Sequence, residues 1–121
     1  MDFTLTENKL MIQAAARDFA QREIAPVAAR FDLSGDFPLD NVRKAGELGF
    51  MGVEVHEQYG GAGMDSISFV LMMEEIAYAD AAHATIVSVN NSLYNNGILQ
   101  FGTEAQKHAY VTPVASGKAM V

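Results

Sequence analysis

The chain has 121 residues, half of them hydrophobic, and a formal net charge of -7 at pH 7, which is the size and balance of one folded globular domain. The eight Lys and Arg are scattered through an acidic sequence, so no basic stripe offers itself to nucleic-acid phosphates or to a membrane surface. The absence of cysteine excludes disulfides, thiol catalysis and cysteine-ligated zinc, and no stretch approaches the roughly 20 apolar residues of a membrane span.

The opening Met1-Asp2-Phe3-Thr4-Leu5-Thr6-Glu7 lacks the basic-then-apolar pattern of a secretory signal. A first helix is predicted from about Glu7 to Phe31, with Thr6 as N-cap and an apolar stripe through Leu10, Ala14, Phe19, Ile24, Val27 and Phe31. Asp18 and Arg22 pair across one turn. Pro26 lies inside this run and predicts a kink or a break. Ser34-Gly35-Asp36 marks a turn, and Pro38 opens a second helix whose apolar positions are Leu39, Val42, Ala45 and Leu48 and which Gly49 stops. Residues 52–63 read as a long loop centred on Tyr59-Gly60-Gly61-Ala62-Gly63.

Asp65 or Ser66 caps a third helix reaching about Tyr78, apolar around so much of its circumference that it is expected to be buried. A fourth runs from about Ala81 to Phe101, closed by Gly102. Thr103-Glu104-Ala105-Gln106 has the form of a capping box. It starts a short last helix that Pro113 is expected to interrupt and Gly117 to end. No strand alternation lasts more than a few residues, so the predicted class is all-α, an up-and-down bundle of about five helices. Ala119-Met120-Val121, three apolar residues, reads as the first residues of a strand.

Few motifs carry chemistry. Gly60-Gly61-Ala62-Gly63 lacks the GK[ST] of a phosphate loop and the spacing of a dinucleotide fingerprint, so it reads as a loop that needs tight backbone turns. Lys118 has no upstream glycine at the phosphate-loop spacing. Glu74 and Glu75 are neighbours on a helix and diverge by about 100°; one is expected to face outward and the other to make a structural bond. His56, His83 and His108 are far apart, with no HExxH, and read as surface or loop residues. No nucleophile elbow accompanies any serine. On the fourth helix Ile86, Val89, Asn90 and Leu93 fall on one α-helical face. Asn91, Asn95 and Asn96 add amides that must find partners wherever they are buried. That face is either a core stripe edged with amides or the wall of a narrow apolar pocket, and periodicity alone does not separate the two.

Four segments make a pattern: Glu47-Leu48-Gly49-Phe50-Met51-Gly52, Glu57-Gln58-Tyr59-Gly60-Gly61-Ala62-Gly63-Met64, Met73-Glu74-Glu75-Ile76-Ala77 and Phe101-Gly102-Thr103-Glu104-Ala105-Gln106-Lys107. Together, in this order and spacing, they resemble the N-terminal domain of the acyl-CoA dehydrogenase family. Ser88-Val89-Asn90-Asn91-Ser92-Leu93-Tyr94 is similar to the short-chain, butyryl-CoA type of member. The resemblance covers the whole chain.

It implies a helical N-terminal domain over residues 1–118, with residues 119–121 opening a β-domain. The parent enzyme would be FAD-dependent and homotetrameric. It would oxidise the Cα–Cβ bond of a short-chain acyl-CoA to a trans-2-enoyl-CoA and pass electrons to an electron-transfer flavoprotein. The resemblance places the catalytic glutamate and the flavin site outside this chain, so no catalytic, cofactor-binding or metal-binding residue is assigned in it. By the same resemblance Ile86, Val89, Asn90 and Leu93 line the acyl-chain pocket. The implied compartment is the bacterial cytoplasm, or the mitochondrial matrix in a eukaryote. No nucleic-acid or membrane partner is expected. The rival expectation is a stand-alone, non-catalytic helical module descended from the family and acting in interaction or dimerisation.

Overall fold

The computed structural model describes residues 1–121 as six helices and no strand. Helix α1 runs Glu7–Phe19 and continues as a π-helical turn over Ala20–Ile24; α2 is Ala28–Ser34 and α3 is Leu39–Glu47. After a long loop with one 3-10 turn, Glu57–Tyr59, comes α4, Ser66–Ala79. Helix α5 begins as Ala81–Ser88, becomes π-helical over Val89–Asn95 and ends as α-helix over Asn96–Phe101. Helix α6 repeats the device, from Glu104–Gln106 through a π-helical Lys107–Val111 to Thr112–Ala115.

Pro26 and Pro113 act through these widened turns. A proline lacks an N–H, and its ring collides with the carbonyl four residues back. Opening the preceding turn to i→i+5 bonding relieves the collision. At Pro26 the π turn Ala20–Ile24 is followed by a break, and the predicted first helix becomes α1 and α2. At Pro113 the π turn Lys107–Val111 lets the helix run on to Ala115, so the expected interruption does not occur. That is why six helices stand where the pattern predicts about five.

The capping predictions hold where the side chain can reach. Asp65 accepts the Ser68 N–H at 2.9 Å, and Thr103 and Gln106 close a complete capping box. Thr6 occupies the N-cap of α1 without a side-chain bond. Asp65 is held at about 2, from the ordinary 3.8, first by the Ser68 backbone N–H, then by Lys9 and the Ser68 hydroxyl. A carboxylate whose pKa is depressed in the folded state stabilises above its unfolded value, and that contribution is lost as pH falls through the folded value. The stability advantage of the wild type over the Asp65→Asn variant is therefore expected to be full above about pH 4 and to vanish between about pH 4 and pH 2. Thermal melts of the two proteins across pH 2–5 check this; parallel curves over that range contradict it.

The core lies where α1, α4 and α5 meet the loop after α3. Ile12, Phe19, Ile24, Met51, Val53, Met72 and Ile76 form its centre, with Phe19 edge-on to Phe50 at 5.8 Å. A second, smaller cluster joins Val55 and Tyr59 of the loop to Val111 and Ala115 of α6. Helix α4 packs on α1 and α5, and its far side departs from the buried helix its composition predicts. Ile67 and Val70 are 55% and 60% exposed, because no element of this chain covers them. Asp18 and Arg22 form their pair at 2.8 Å.

At several places the chain packs so closely that only glycine fits. A Cβ on Gly46 would sit 2.7 Å from the Gly117 Cα, and one on Gly52 would sit 2.6 Å from the Ala115 Cβ. One on Gly61 would fall 2.1 Å from the Val55 carbonyl oxygen. Gly97 is the opposite case. It lies in the last α-helical part of α5 with nothing within 4 Å of a built Cβ. Gly97→Ala is expected to stabilise the 121-residue chain by about 0.5–1 kcal/mol, read from the midpoint of a urea titration.

Candidate functional site

Helix α5 carries the four residues that the resemblance assigns to an acyl wall, and its winding decides where they point. Ile86 and Val89 are half-buried, Asn90 is 0% exposed and Leu93 is 70% exposed. An α-helix would keep residues three, four and seven apart on one face. The π-helical stretch Val89–Asn95 instead brings residues five apart into register, so Asn90 and Asn95 turn inward together and Leu93 turns out. Ile86 packs against the core's edge.

Three buried amides run along the inner side. Asn91 Nδ2 donates to the Phe50 carbonyl at 2.8 Å and to the Val87 carbonyl at 2.9 Å. Its Oδ1 accepts the Val53 N–H at 2.9 Å. Asn95 Nδ2 donates to the Met51 carbonyl at 2.8 Å. Asn90 Nδ2 donates to the Ile86 carbonyl at 2.8 Å. The loop Phe50–Val53 is buried but forms no strand, so its backbone groups need side-chain partners, and these asparagines supply them. Sequence reasoning requires partners for buried amides; it does not find that the partners lie some 40 residues away in a loop.

A hollow of about 470 Å³ flanks α5, lined by Glu54, Val55, Ser66, Asn91, Ser92, Asn96 and Leu99. The Ser66 hydroxyl donates to Glu54 at its rim. The four predicted wall residues lie outside it.

The glycine loop is not free to hold a phosphate. The Gly60 N–H donates to the Glu57 carbonyl, Gly61 to His56, Ala62 to Gly52, Gly63 to Val55 and Met64 to Val53. A phosphate cradle needs unspent backbone donors, and here each is spent. Gly60 and Gly63 have φ of 84° and 63°, the tight turns the sequence predicts. The residues present therefore do not fit the diphosphate of a flavin dinucleotide at this loop.

His83 is the residue the sequence misplaces. It is 3% exposed rather than superficial. Its Nε2 faces the Asn41 Nδ2 at 3.1 Å, an amide that can only donate, so the ring proton sits on Nδ1. From there it donates to Asp80 Oδ2 at 2.5 Å. Asn41 spends its other proton on the Glu23 carbonyl at 2.9 Å. The chain of bonds ties α3 and the π turn of α1 to the start of α5. Burial pushes the Asp80 carboxyl up, but bonds from the His83 side chain and backbone outweigh it and leave it below its ordinary range. Asp80 also caps α5, and an aspartate three residues before a histidine at a helix start is the signal that could have located the pair.

Glu75 and Glu74 behave as adjacent helical acids should. Glu75 takes Arg17 at 2.6 and 3.1 Å, while Glu74 is exposed. No helix is long and apolar enough to cross a membrane.

The architecture is thus an all-helical domain built around one amide-rich, partly π-helical helix. The sequence pattern of the family "Acyl-CoA dehydrogenase, N-terminal domain" matches residues 6–118, and the chain belongs to that family. It is 45% identical over 113 residues to the mitochondrial short-chain specific acyl-CoA dehydrogenase of Homo sapiens, a match covering 93% of this chain and 27% of the relative. It is 42% identical over 120 residues to a probable acyl-CoA dehydrogenase of Bacillus subtilis, covering 99% of this chain and 32% of the relative. The solved structure of butyryl-CoA dehydrogenase from Megasphaera elsdenii superposes with a TM-score of 0.91 at 36% identity, over 99% of this chain and 32% of that one. The chain spans about a third of the length of these relatives.

Proposed function

We propose that the chain is the N-terminal helical domain of an FAD-dependent short-chain acyl-CoA dehydrogenase, with residues 1–118 as the domain and 119–121 opening the one that follows. The parent would oxidise the Cα–Cβ bond of a short acyl-CoA to the trans-2-enoyl-CoA. The observation that carries this reading is similarity to short-chain and butyryl-CoA relatives over nearly all of the chain. Flavin and catalytic base would come from the remainder of the parent, as the family resemblance implies; the glycine loop here has no donors left for a phosphate.

In this reading α5 faces the acyl chain. Leu93, Val89 and Ile86 supply the apolar surface, and Asn90 stands behind them, fully buried. Leu93, exposed here, would be covered by substrate or by the parent's other domains. Exposed Ile67, Val70, Tyr78 and Phe101 add apolar area of the kind that other domains or subunits cover, as a tetrameric parent would. Electron-transfer flavoprotein would be the redox partner, in the bacterial cytoplasm or the mitochondrial matrix.

The test is a flavin absorbance scan and a butyryl-CoA assay on the full-length protein from its native source. Bound flavin and turnover of butyryl-CoA support the reading. A native product of 13.1 kDa without flavin would overturn it in favour of an interaction module.

A further inference from the structure

Asn90 differs from the other inward amides of α5 because its bonds leave the helix for the far end of the chain. Its Nδ2 donates to the Ile86 carbonyl one turn back and also to the Val121 carbonyl at 3.2 Å. Its Oδ1 accepts the Val121 N–H at 3.1 Å. One side-chain amide thereby takes both polar groups of a single backbone residue, as a residue on an adjacent strand does in a ladder. The amide is entirely buried, and its two donors and its acceptor are all matched, so its desolvation is offset.

The segment it holds needs holding. Ala119 and Val121 are exposed and Met120 is 37% exposed, so burial alone does not fix the backbone here. Gly117, with φ of 75°, turns the chain out of α6 against Gly46. The Lys118 and Ala119 N–H groups both donate to the Pro113 carbonyl at 2.9 Å. Beyond that carbonyl, the Asn90 amide is what ties the backbone to the fold.

We infer that Asn90 is a positioning residue whose side-chain amide serves as a one-residue strand partner, docking the segment 119–121 onto α5 and setting where the chain that follows starts relative to the acyl-facing wall. The inference rests on the reading of α5 given under Proposed function. Asn90 acts through the docked backbone and touches no reacting atom. Its loss moves the acyl wall against the next domain without removing either.

The experiment compares Asn90→Leu and Asn90→Ser with wild type in the full-length protein. Leucine keeps the size and loses the bonds. Serine keeps a bond to the Ile86 carbonyl but is too short to reach Val121, and it carries the test if the leucine variant does not fold. Two quantities are read: hydrogen exchange at the Val121 amide, and kcat and KM for butyryl-CoA at matched flavin content. The expected result is exchange faster by about tenfold or more, with kcat lower by about tenfold and KM within about threefold. Unchanged exchange at Val121 overturns the inference whatever the activity. Faster exchange with unchanged kcat also overturns it, because the bond would then exist without positioning anything. A wild-type enzyme inactive on butyryl-CoA would instead sink the short-chain reading, and the exchange measurement would still decide the Asn90 bond.

Discussion

Gly117→Ala is expected to destabilise the chain by about 2–5 kcal/mol. Two independent penalties meet at this position. Its φ of 75° is the left-handed region, where a Cβ costs about 1–2 kcal/mol. That Cβ would also stand 2.5 Å from the Gly46 carbonyl carbon, and backbone cannot yield as the tip of a flexible side chain can. Overpacking of this kind adds about 1–3 kcal/mol. Total stability of a domain this size is about 5–15 kcal/mol, so the change consumes a large share of it. Gly46→Ala meets the same crossing from the other side at 2.7 Å without the positive φ, and is expected to lose the smaller, packing part alone. Urea titrations of the wild type and both variants check the two magnitudes. Equal losses in the variants would show that φ strain contributes nothing at Gly117.

Asn91→Leu is expected to be about as damaging, near ~4 kcal/mol, because it strands buried backbone groups. Leucine matches asparagine in shape, so no cavity opens. What it removes is the partner of the Val53 N–H and of the Phe50 carbonyl, both within the buried loop. Each group left unpaired away from water costs about 1–3 kcal/mol. The loss of the bond to Val87 is minor, because that carbonyl belongs to a helix. Thermal unfolding followed by circular dichroism measures the effect. A change under about 1 kcal/mol would show that water reaches the loop and replaces the amide.

The local chemistry of helix ends is legible in the sequence. Asp65, Thr103 with Gln106, and the stops after α2 and α3 follow from residue type alone, because a cap is an interaction within four residues of chain. The break at Pro26 is legible for the same reason. Pro113 is not, since whether a proline ends a helix depends on whether the turn before it can widen, and no residue type encodes that. His83 escapes the sequence because its partners are split between a neighbour, Asp80, and a residue on another helix, Asn41. For the candidate wall, helical spacing puts Ile86, Val89, Asn90 and Leu93 on one face, and the π-helical winding of α5 separates Leu93 from Asn90. Such spacing presumes a period of about 3.6 residues where the helix does not keep it. The family is legible throughout, because its signature is the order and spacing of short segments, three of them carrying glycines, and that order survives any error in winding.

That winding gives α5 a tolerance for length that its composition hides. A π-helical stretch holds one residue more than an α-helix of the same rise can absorb. Deleting a single residue between Val89 and Asn95 would therefore let the α-helix close through with the helix beyond it left in place. A deletion in the α-helical part Ala81–Ser88 would instead turn every residue after it by about 100°. Within the stretch the cost falls on the buried amides Asn90, Asn91 and Asn95, which face inward together only while the turn is wide. Among length variants of this chain, loss of one residue at 89–95 should cost single side-chain contacts, and loss of one in the α-helical part before it should rotate the C-terminal part of the domain against the rest.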